Sequence, residues 1–299
     1  MSNAIPDTTV TVPALIDLMA ARLEDAGLSF SDGYGHGTTN AFDEAAWLVL
    51  WQLGLPLDDL DSVENRPVTP VDQARVALLL ETRITSRKPA AYLTNEAWLM
   101  GVPFYVDERV IIPRSFIAEL LADGSIDPWL SEQTHRVLDL CTGNGSLAVL
   151  AAMTYPGVRV DAADISPDAL AVARINVDRH QLADRITLIK SDGLAACTGN
   201  YDLILCNPPY VNAASMAALP AEFRAEPGLA LAGGTDGMDF IRSLFLTATA
   251  QMNENTVMVL EIGNERENFE RAFPHLEPLW FETSAGSEQV LLLTREQLA

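Results

Sequence analysis

The stretch at residues 136–152, RVLDLCTGNGSLAVLAA, decides the fold. A short apolar run ends in a turn that contains two glycines, and a second apolar run typical of a helix follows it. Downstream, short apolar strands alternate with helical segments, and the strands are RVLDL, VRVDAAD, ITLIK, YDLILC and TVMVLEI. This alternation predicts an α/β domain at residues 116–299 with a doubly wound, largely parallel, Rossmann-like sheet.

The chain before that domain follows two other patterns. Residues 1–90 contain helical segments with plausible N-caps at Thr11 and Asn40, so we expect a small helical N-terminal domain that recognises the substrate. Residues 91–115 alternate in polarity around a Gly-Val-Pro turn and are rich in aromatic and β-branched side chains. This pattern predicts a β-hairpin that links the two domains.

Composition limits the classes of partner. The chain has 19 basic and 41 acidic residues and a net charge of −22, which disfavours stable binding of naked DNA or RNA and favours a strongly basic protein. The same acidity is also typical of a merely soluble or salt-adapted protein. The sequence has no apolar run long enough to span a bilayer and no signal peptide, so we expect a cytoplasmic protein. The cysteines and histidines are scattered, so we expect no metal.

The glycine turn after the first strand indicates a ligand site. Gly143 and Gly145 allow a sharp turn that brings backbone N–H groups to the start of a helix, where a carboxylate or phosphate binds well. Ala148 takes the place of the third glycine of a dinucleotide fingerprint. Asp139 directly precedes the turn and suits an ammonium group better than a pyrophosphate. The loop therefore favours a ligand with a zwitterionic end.

Two acids at later strand ends extend this site. Asp164 closes the second strand, where a carboxylate accepts hydrogen bonds from ribose hydroxyls in such folds. Asp192 closes the third strand, where it is within reach of an adenine amino group. The loop and the two acids together predict an adenosyl ligand with a zwitterionic tail, a description that S-adenosylmethionine fits.

The tetrapeptide NPPY, Asn207 to Tyr210, ends the fourth strand. Proline fixes φ and has no N–H group, so Pro208 and Pro209 hold the Asn207 side chain and the Pro208 carbonyl in set directions. These two acceptors match the two N–H groups of a planar –NH₂. The motif therefore predicts transfer of a methyl group to a planar nitrogen.

The sequence resembles the HemK-type protein glutamine methyltransferases in VLDLCTGNGSLAVLAA, VDAADISPDALAVARINVDRH, YDLILCNPPYV and EFRAEPGLALAGGTDGMDF. The resemblance covers nearly the whole chain and implies a class I S-adenosylmethionine methyltransferase sheet. By resemblance, Asn207 and Pro208 bind the glutamine amide, Pro209 holds the motif rigid, and Tyr210 packs against the glutamine side chain. The cofactor residues that it implies are Asp139, Cys141, Thr142, Gly143, Asn144 and Gly145 for the methionine moiety, Asp164 for the ribose, Asp192 for the adenine, and also Ile165 and Asn207.

Two stretches resemble the PrmB branch, which methylates large-subunit ribosomal protein number three, more than the branch that methylates peptide release factors. They are AAYLTNEAW, in which Asn95 stands where the release-factor branch usually has glycine, and ALPAEFRAEP after NPPY. The chain departs from the family pattern at SAGSEQVLLLT and at Asn212, where aspartate is commoner. Phe104 and Arg114 are either ligand contacts or, respectively, hairpin core and a solvated cation.

Four alternatives remain open. Release factors are a second protein substrate, and amino-adenine in nucleic acid presents the same planar amine to an NPPY motif. A nicotinamide-binding oxidoreductase accounts for the glycine loop but leaves NPPY without a role. A ribosome-assembly factor without activity would recognise the same basic protein.

Overall fold

The structure is a computed structural model that describes residues 10–28, 34 and 37–299. The chain divides into two compact units. The first comprises the chain up to Asn95 together with Pro220–Ala225, and the second comprises Glu96–Leu219 and Glu226–Ala299. The first unit therefore recruits a short segment that lies more than a hundred residues downstream of its own end.

Helices build the described part of the first unit, and their apolar faces meet in one core that includes Leu15, Leu48 and Leu80. Asn40 caps the second helix, because its side chain accepts a hydrogen bond from the Asp43 N–H at 2.9 Å. Thr11 occupies the N-cap position of the first helix but makes no side-chain cap bond. The helices are α1 (Val12–Asp25), α2 (Ala41–Leu53), α3 (Pro70–Ser86) and α4 (Ala90–Thr94), with 3₁₀ turns at Asp61–Val63 and Phe223–Ala225.

A buried ion-pair cluster joins the recruited segment to the helices. Arg83 of α3 is fully buried, and its guanidinium contacts Glu44 of α2 at 2.8 Å and Glu222 at 3.2 Å. Arg87 contacts Glu222 at 2.7 Å. Burial raises the pKa of the Glu44 carboxyl, and Arg83 opposes that shift. Removing one partner from such a cluster would leave a charge buried without compensation.

The second unit contains a seven-stranded sheet and a separate two-stranded hairpin. The sheet order is β5-β4-β3-β6-β7-β9-β8; the strands from β5 to β7 are parallel, while β9 pairs antiparallel with β7 and β8. This order confirms the predicted doubly wound sheet. The strands are β1 (Ala97–Leu99) and β2 (Val102–Phe104) in the hairpin, then β3 (Arg136–Leu140), β4 (Arg159–Asp164), β5 (Ile186–Lys190), β6 (Tyr201–Cys206), β7 (Met252–Glu261), β8 (Leu279–Trp280) and β9 (Val290–Thr294).

Alternate side chains of the central strands enter two cores, one on each face of the sheet. Leu203 and Leu205 of β6 belong to one core, and Ile204 and Cys206 belong to the other. Helices cover both faces, so the central strands are apolar on both sides. The helices of this unit are α5 (Ile117–Asp123), α6 (Ser146–Thr154), α7 (Pro167–Arg179), α8 (Ala213–Ala217), α9 (Asp239–Phe245), α10 (Arg266–Ala272) and α11 (Arg295–Leu298), with 3₁₀ turns at Asp127–Trp129, Gly228–Ala230 and Ala248–Gln251.

The topology brings the candidate residues to one edge. β3, β4, β5 and β6 are parallel, so the loops that follow them leave the sheet at the same carboxyl edge. The chain direction across the sheet reverses between β3 and β6, and ligands bind beside such a switch point in open α/β sheets. In the described ranges, none of the helices has the length and apolar character that crossing a membrane requires.

Candidate active site

The loop after β3 depends on residues with positive φ. Cys141, Gly143 and Gly145 have φ values of 62°, 56° and 81°. A Cβ atom at Gly145 would lie 3.2 Å from the Cβ of Ala173, so α7 packs tightly against this glycine. Both backbone conformation and space therefore favour glycine at 145, whereas only conformation does so at 143.

Asp139 stabilises this loop through hydrogen bonds. The carboxylate is fully buried, and its Oδ2 accepts hydrogen bonds from the Thr142 hydroxyl and, at 2.9 Å, from the Ala148 N–H. Burial raises the pKa of the Asp139 carboxyl to about 7, although these two donors oppose the shift. Its Oδ1 has no hydrogen-bond partner among the described residues, so one acceptor remains for a donor such as an ammonium group.

Asn144 presents a complementary group in the same loop. The residue is buried, and its Oδ1 accepts a hydrogen bond from the Ser146 N–H at 3.1 Å. Its Nδ2 has no partner within the described residues, and the residue lines the cavity described below. A buried amide donor without a partner is costly, so this N–H₂ suits an anionic ligand group such as a carboxylate.

Asp164, at the end of β4, connects the two neighbouring loops. Its Oδ2 accepts a hydrogen bond from the Gly143 N–H and its Oδ1 accepts one from the Ser166 N–H, both at 2.9 Å. Burial raises the pKa of the Asp164 carboxyl, and these backbone donors oppose the shift. Each oxygen keeps a second lone pair for a ligand hydroxyl. Ser166 itself caps α7, because its side chain accepts a hydrogen bond from the Ala169 N–H.

Asn144 and Asp164 line one cavity of about 280 Å³ in the second unit. Its wall contains the loop residues from Cys141 to Asn144, the acids Asp164 and Asp192 with Ile165 between them in the chain, and Asn207 and Pro209 of NPPY. Residues 109–111 and 113–115 also line it, as do residues 227, 229, 230 and 240. A pocket with a mainly apolar lining and a few convergent polar groups is typical of a small-molecule site.

The NPPY motif divides between the cavity and the protein interior. Asn207 and Pro209 line the cavity, and no described residue hydrogen-bonds the Asn207 side chain. Pro208 is buried, and neither it nor Tyr210 contributes to the cavity wall. Asp139 and Gly145 also lie outside the wall, so the structure gives these two residues a supporting place beneath the loop.

Glycines confine Tyr210 on several sides. A Cβ atom at Gly263 would lie 2.5 Å from Cε2 of the Tyr210 ring, and one at Gly237 would lie 2.3 Å from the Tyr210 carbonyl oxygen. A Cβ atom at Gly233 would lie 2.7 Å from the Tyr210 Cα. These approaches are too close for any side chain, so all three positions require glycine for the chain to pack this tightly against the ring and the backbone of Tyr210.

Glu226, which sequence analysis did not single out, binds Arg114 of the cavity wall. Glu226 is buried and binds the Arg114 guanidinium through two bonds of 2.6 and 2.7 Å, and it also accepts the Ile112 N–H at 2.9 Å. Arg114 is therefore a cavity-lining member of an ion pair. Phe104 is fully buried in the core and stacks at 5.4 Å on His180, which supports its structural alternative.

Glu261 is a second buried acid that sequence analysis missed. It ends β7 inside the apolar run TVMVLEI, and a lone carboxylate in a central strand is itself an unusual signal. It accepts hydrogen bonds from Ser115, Phe116 and Tyr210. Burial raises the pKa of the Glu261 carboxyl to about 7, and the Ser115 hydroxyl opposes that shift.

Asn95, which favours one branch of the family, and Asn212, which departs from the family pattern, both have local explanations. Asn95 has φ of 52°, a left-handed conformation that asparagine tolerates better than most residues and that glycine also adopts. Asn212 caps α8 through its Oδ1, and its Nδ2 donates a hydrogen bond to Glu265 at 2.6 Å. An aspartate at 212 would keep the cap but place two carboxylates in contact.

Comparisons with known proteins identify methyltransferases. The family model of the methyltransferase small domain matches residues 125–234. A ribosomal protein uL3 glutamine methyltransferase from Bordetella pertussis is 52% identical and covers 100% of this chain and 99% of the relative. A protein of the same name from Burkholderia pseudomallei is 49% identical over 98% of this chain and 97% of the relative.

A solved methyltransferase from Pyrococcus furiosus aligns with 74% of this chain and 98% of its own, at 14% identity and a TM-score of 0.47. The curated relatives match from end to end, through the helical unit as well as the sheet. On that evidence, the chain belongs to the family of ribosomal protein uL3 glutamine methyltransferases.

Proposed function

We propose that this protein transfers a methyl group from S-adenosylmethionine to the side-chain amide nitrogen of a glutamine in ribosomal protein uL3, the large-subunit protein number three. The observation that carries this proposal is a single cavity whose wall contains both the acids of a predicted adenosyl site and Asn207 of the NPPY motif. The full-length relatives supply the substrate, because they carry the name of this activity.

The cavity suits the cofactor in its polar groups. S-adenosylmethionine supplies an electrophilic methyl group on a positively charged sulfur when it is bound. Asp164 and Asp192 line the cavity and provide acceptors for ribose hydroxyls and an adenine amine. The buried N–H₂ of Asn144 provides a donor for the carboxylate, and the unpartnered oxygen of Asp139 beneath the loop is an acceptor for the ammonium group. These assignments give the ribose, the adenine amine, the carboxylate and the ammonium group of the cofactor one complementary residue each.

NPPY supplies the acceptor side of the reaction. The Oδ1 of Asn207 and the carbonyl of Pro208 accept hydrogen bonds from the two N–H groups of the substrate amide. The prolines limit backbone freedom, so little entropy is lost when these acceptors are engaged. With both N–H groups held in plane, the nitrogen lone pair points out of the plane toward the methyl group.

The same acceptors stabilise the transition state. An amide nitrogen is a weak nucleophile because its lone pair is delocalised, and it gains positive charge as the methyl group is transferred. Acceptors on its N–H bonds stabilise that charge most at the transition state, where it is developing. The methylated nitrogen is acidic and releases a proton readily, so the reaction does not need a strong general base.

The acidic surface supports a basic protein as substrate. A net charge of −22 attracts a basic ribosomal protein and repels naked nucleic acid over roughly a Debye length. We therefore propose that the helical unit contributes to recognition of uL3 and that the protein binds neither nucleic acid stably nor a membrane. We place the reaction in the cytoplasm, where ribosomal proteins are made.

Mass spectrometry of two substrates tests the proposal. Purified uL3 and a peptide release factor are incubated separately with the protein and S-adenosylmethionine, and Asn207→Ala serves as the control. We expect one methyl group on a glutamine of uL3 alone, and a roughly hundredfold slower reaction in the variant, about 3 kcal/mol of transition-state stabilisation. Methylation of the release factor alone would assign the other branch, and transfer to neither protein would refute the proposed activity.

A further inference from the structure

Glu261 connects the cavity-lining residue Ser115 to Tyr210 of the NPPY motif. Its side chain is buried at the end of β7, and its two oxygens face different partners. Oε2 accepts hydrogen bonds from the Ser115 hydroxyl at 2.5 Å and from the Phe116 N–H at 2.9 Å. Oε1 accepts a weaker one from the Tyr210 hydroxyl at 3.4 Å. One carboxylate therefore contacts two segments that are almost a hundred residues apart in the sequence.

Both segments border the site of the reaction. Ser115 ends the stretch that starts at Arg109 and lines one side of the cavity, and Arg114 in this stretch is held by Glu226. Tyr210 ends the NPPY motif, whose Asn207 lines the cavity at the end of β6. The separation of these two segments sets the room available to a side chain that reaches Asn207.

Burial of a carboxylate at position 261 is energetically unfavourable. A buried acid without a cationic partner is unfavourable unless its oxygens are well bonded, and an apolar side chain of similar volume would suit the core of a sheet at least as well. The Glu261 pKa, raised to about 7 by burial, reflects that cost. The fit of its two oxygens to two different segments is the feature that an apolar residue could not reproduce.

We propose that Glu261 is a positioning residue for methyl transfer, which joins the NPPY motif to residues 109–115 and so fixes the width of the acceptor side of the cavity. This inference rests on the proposed function. Gly263 packs directly against the Tyr210 ring, and the Tyr210 hydroxyl makes the longest of the contacts to Glu261. Glu261 acts through Tyr210 and Ser115 and does not itself touch the substrate.

Kinetics of two tyrosine variants and two Glu261 variants test this role. Tyr210→Phe removes the hydroxyl that contacts Glu261, and Tyr201→Phe is its matched control, because the Tyr201 hydroxyl binds Asp161 at 2.9 Å at the opposite end of β6. We expect Glu261→Leu to lower kcat on uL3 by about ten- to a hundredfold through misplacement of the acceptor. Glu261→Gln, which keeps one acceptor, should retain part of the rate. Tyr210→Phe should lower kcat several-fold, and Tyr201→Phe should leave it unchanged.

The affinity for S-adenosylmethionine separates positioning from a general loss of structure. The geometry predicts that Kd, measured by titration calorimetry, stays within about twofold of the wild-type value in Glu261→Leu and Tyr210→Phe, because all predicted cofactor residues except Asn207 lie on or directly after β3, β4 and β5. An equal loss of cofactor affinity and of kcat would overturn the inference, as would a Glu261→Leu protein with wild-type kcat. If Glu261→Leu fails to fold, Ser115→Ala and Tyr210→Phe decide the matter.

Hydrogen exchange in the ligand-free protein gives a readout that does not depend on the substrate. Ser115→Ala should speed amide exchange in residues 210–213, and Tyr210→Phe should speed it at Phe116, because each variant weakens one side of a shared carboxylate. Changes confined to the mutated segment would refute the connection. If the connection is present but wild-type protein does not methylate uL3, the proposed function fails while the structural link remains.

Discussion

Asp139→Asn should raise the stability of the protein while it weakens cofactor binding. The fully buried Asp139 carboxylate accepts both of its hydrogen bonds at Oδ2, so an asparagine can keep them with its Oδ1. The amide N–H₂ then takes the place of the oxygen that has no partner among the described residues. The substitution thus removes a buried charge with little change in shape.

The size and sign of the effect follow from the pKa of Asp139. Burial raises that pKa from 3.8 to about 7, so the folded protein holds this proton across a pH range where the unfolded chain releases it. The carboxyl therefore costs nothing below about pH 4, and its cost grows as pH rises to about 7 and is constant above. The full cost is roughly 4 kcal/mol. The asparagine variant does not titrate, so its advantage over wild type grows by that amount over the same range.

Calorimetry of the ligand-free protein measures this difference. The melting temperature of Asp139→Asn minus that of wild type should rise by roughly 6–12 °C between about pH 4.5 and about pH 7.5, because about 3 of the 4 kcal/mol develops in that window. Acids common to both proteins cancel in the difference. A difference that stays flat with pH would show that Asp139 is not a buried, protonated group near neutrality. Weaker binding of S-adenosylmethionine by the more stable variant would identify the carboxylate as a ligand contact.

Three further outcomes follow from the structure. Gly263→Ala should destabilise the protein by about 2 kcal/mol or more in calorimetry and slow methyl transfer, because the alanine Cβ would meet the Tyr210 ring. Gly101→Ala is the control, because Gly101 also has a positive φ but has open space around it. Equal losses of stability in the two variants would contradict the argument. Arg83→Met should cost roughly 3–5 kcal/mol, since it leaves the buried Glu44 without its cation and Glu222 with Arg87 alone, and an unchanged melting curve would refute that reasoning. The Cys141 thiol, whose pKa is raised by its hydrogen bond to Cys206 and by burial, should react with iodoacetamide at about pH 8 more slowly than free cysteine, and an equal rate would contradict this.

The sequence was sufficient to predict the parts of the fold that depend on a local pattern of residues. The strands RVLDL, ITLIK and YDLILC were predicted with the bounds that the structure gives, because each is a short apolar run between turn residues. The N-caps at Asn40 and Ser166 were also predictable, since a cap is made by a side chain and an amide only three residues away. Helix α1 begins after Thr11 without a capping hydrogen bond to the Thr11 side chain.

The buried acids were not predictable in the same way. Glu226 and Glu261 are held by Arg114 and by Ser115, which lie far away in the sequence. Nothing local distinguishes such acids from solvated ones, although a lone carboxylate in an apolar strand was a signal for Glu261. The places of Asp139 and Tyr210 outside the cavity wall likewise depend on tertiary packing, and their predicted contacts with ligands stay predictions.

The recruited segment Pro220–Ala225 bears on how the protein can be divided. A cut after Asn95 would release the sheet unit with this segment still attached, but without the helices to which the segment belongs. Glu222 would then lose Arg83 and Arg87, and a stretch only ten residues beyond Tyr210 would have no partner to fold against. The helical unit therefore cannot be removed by a single cut without loss of contacts. Assays of methyl transfer should use the full chain and not a truncated sheet unit.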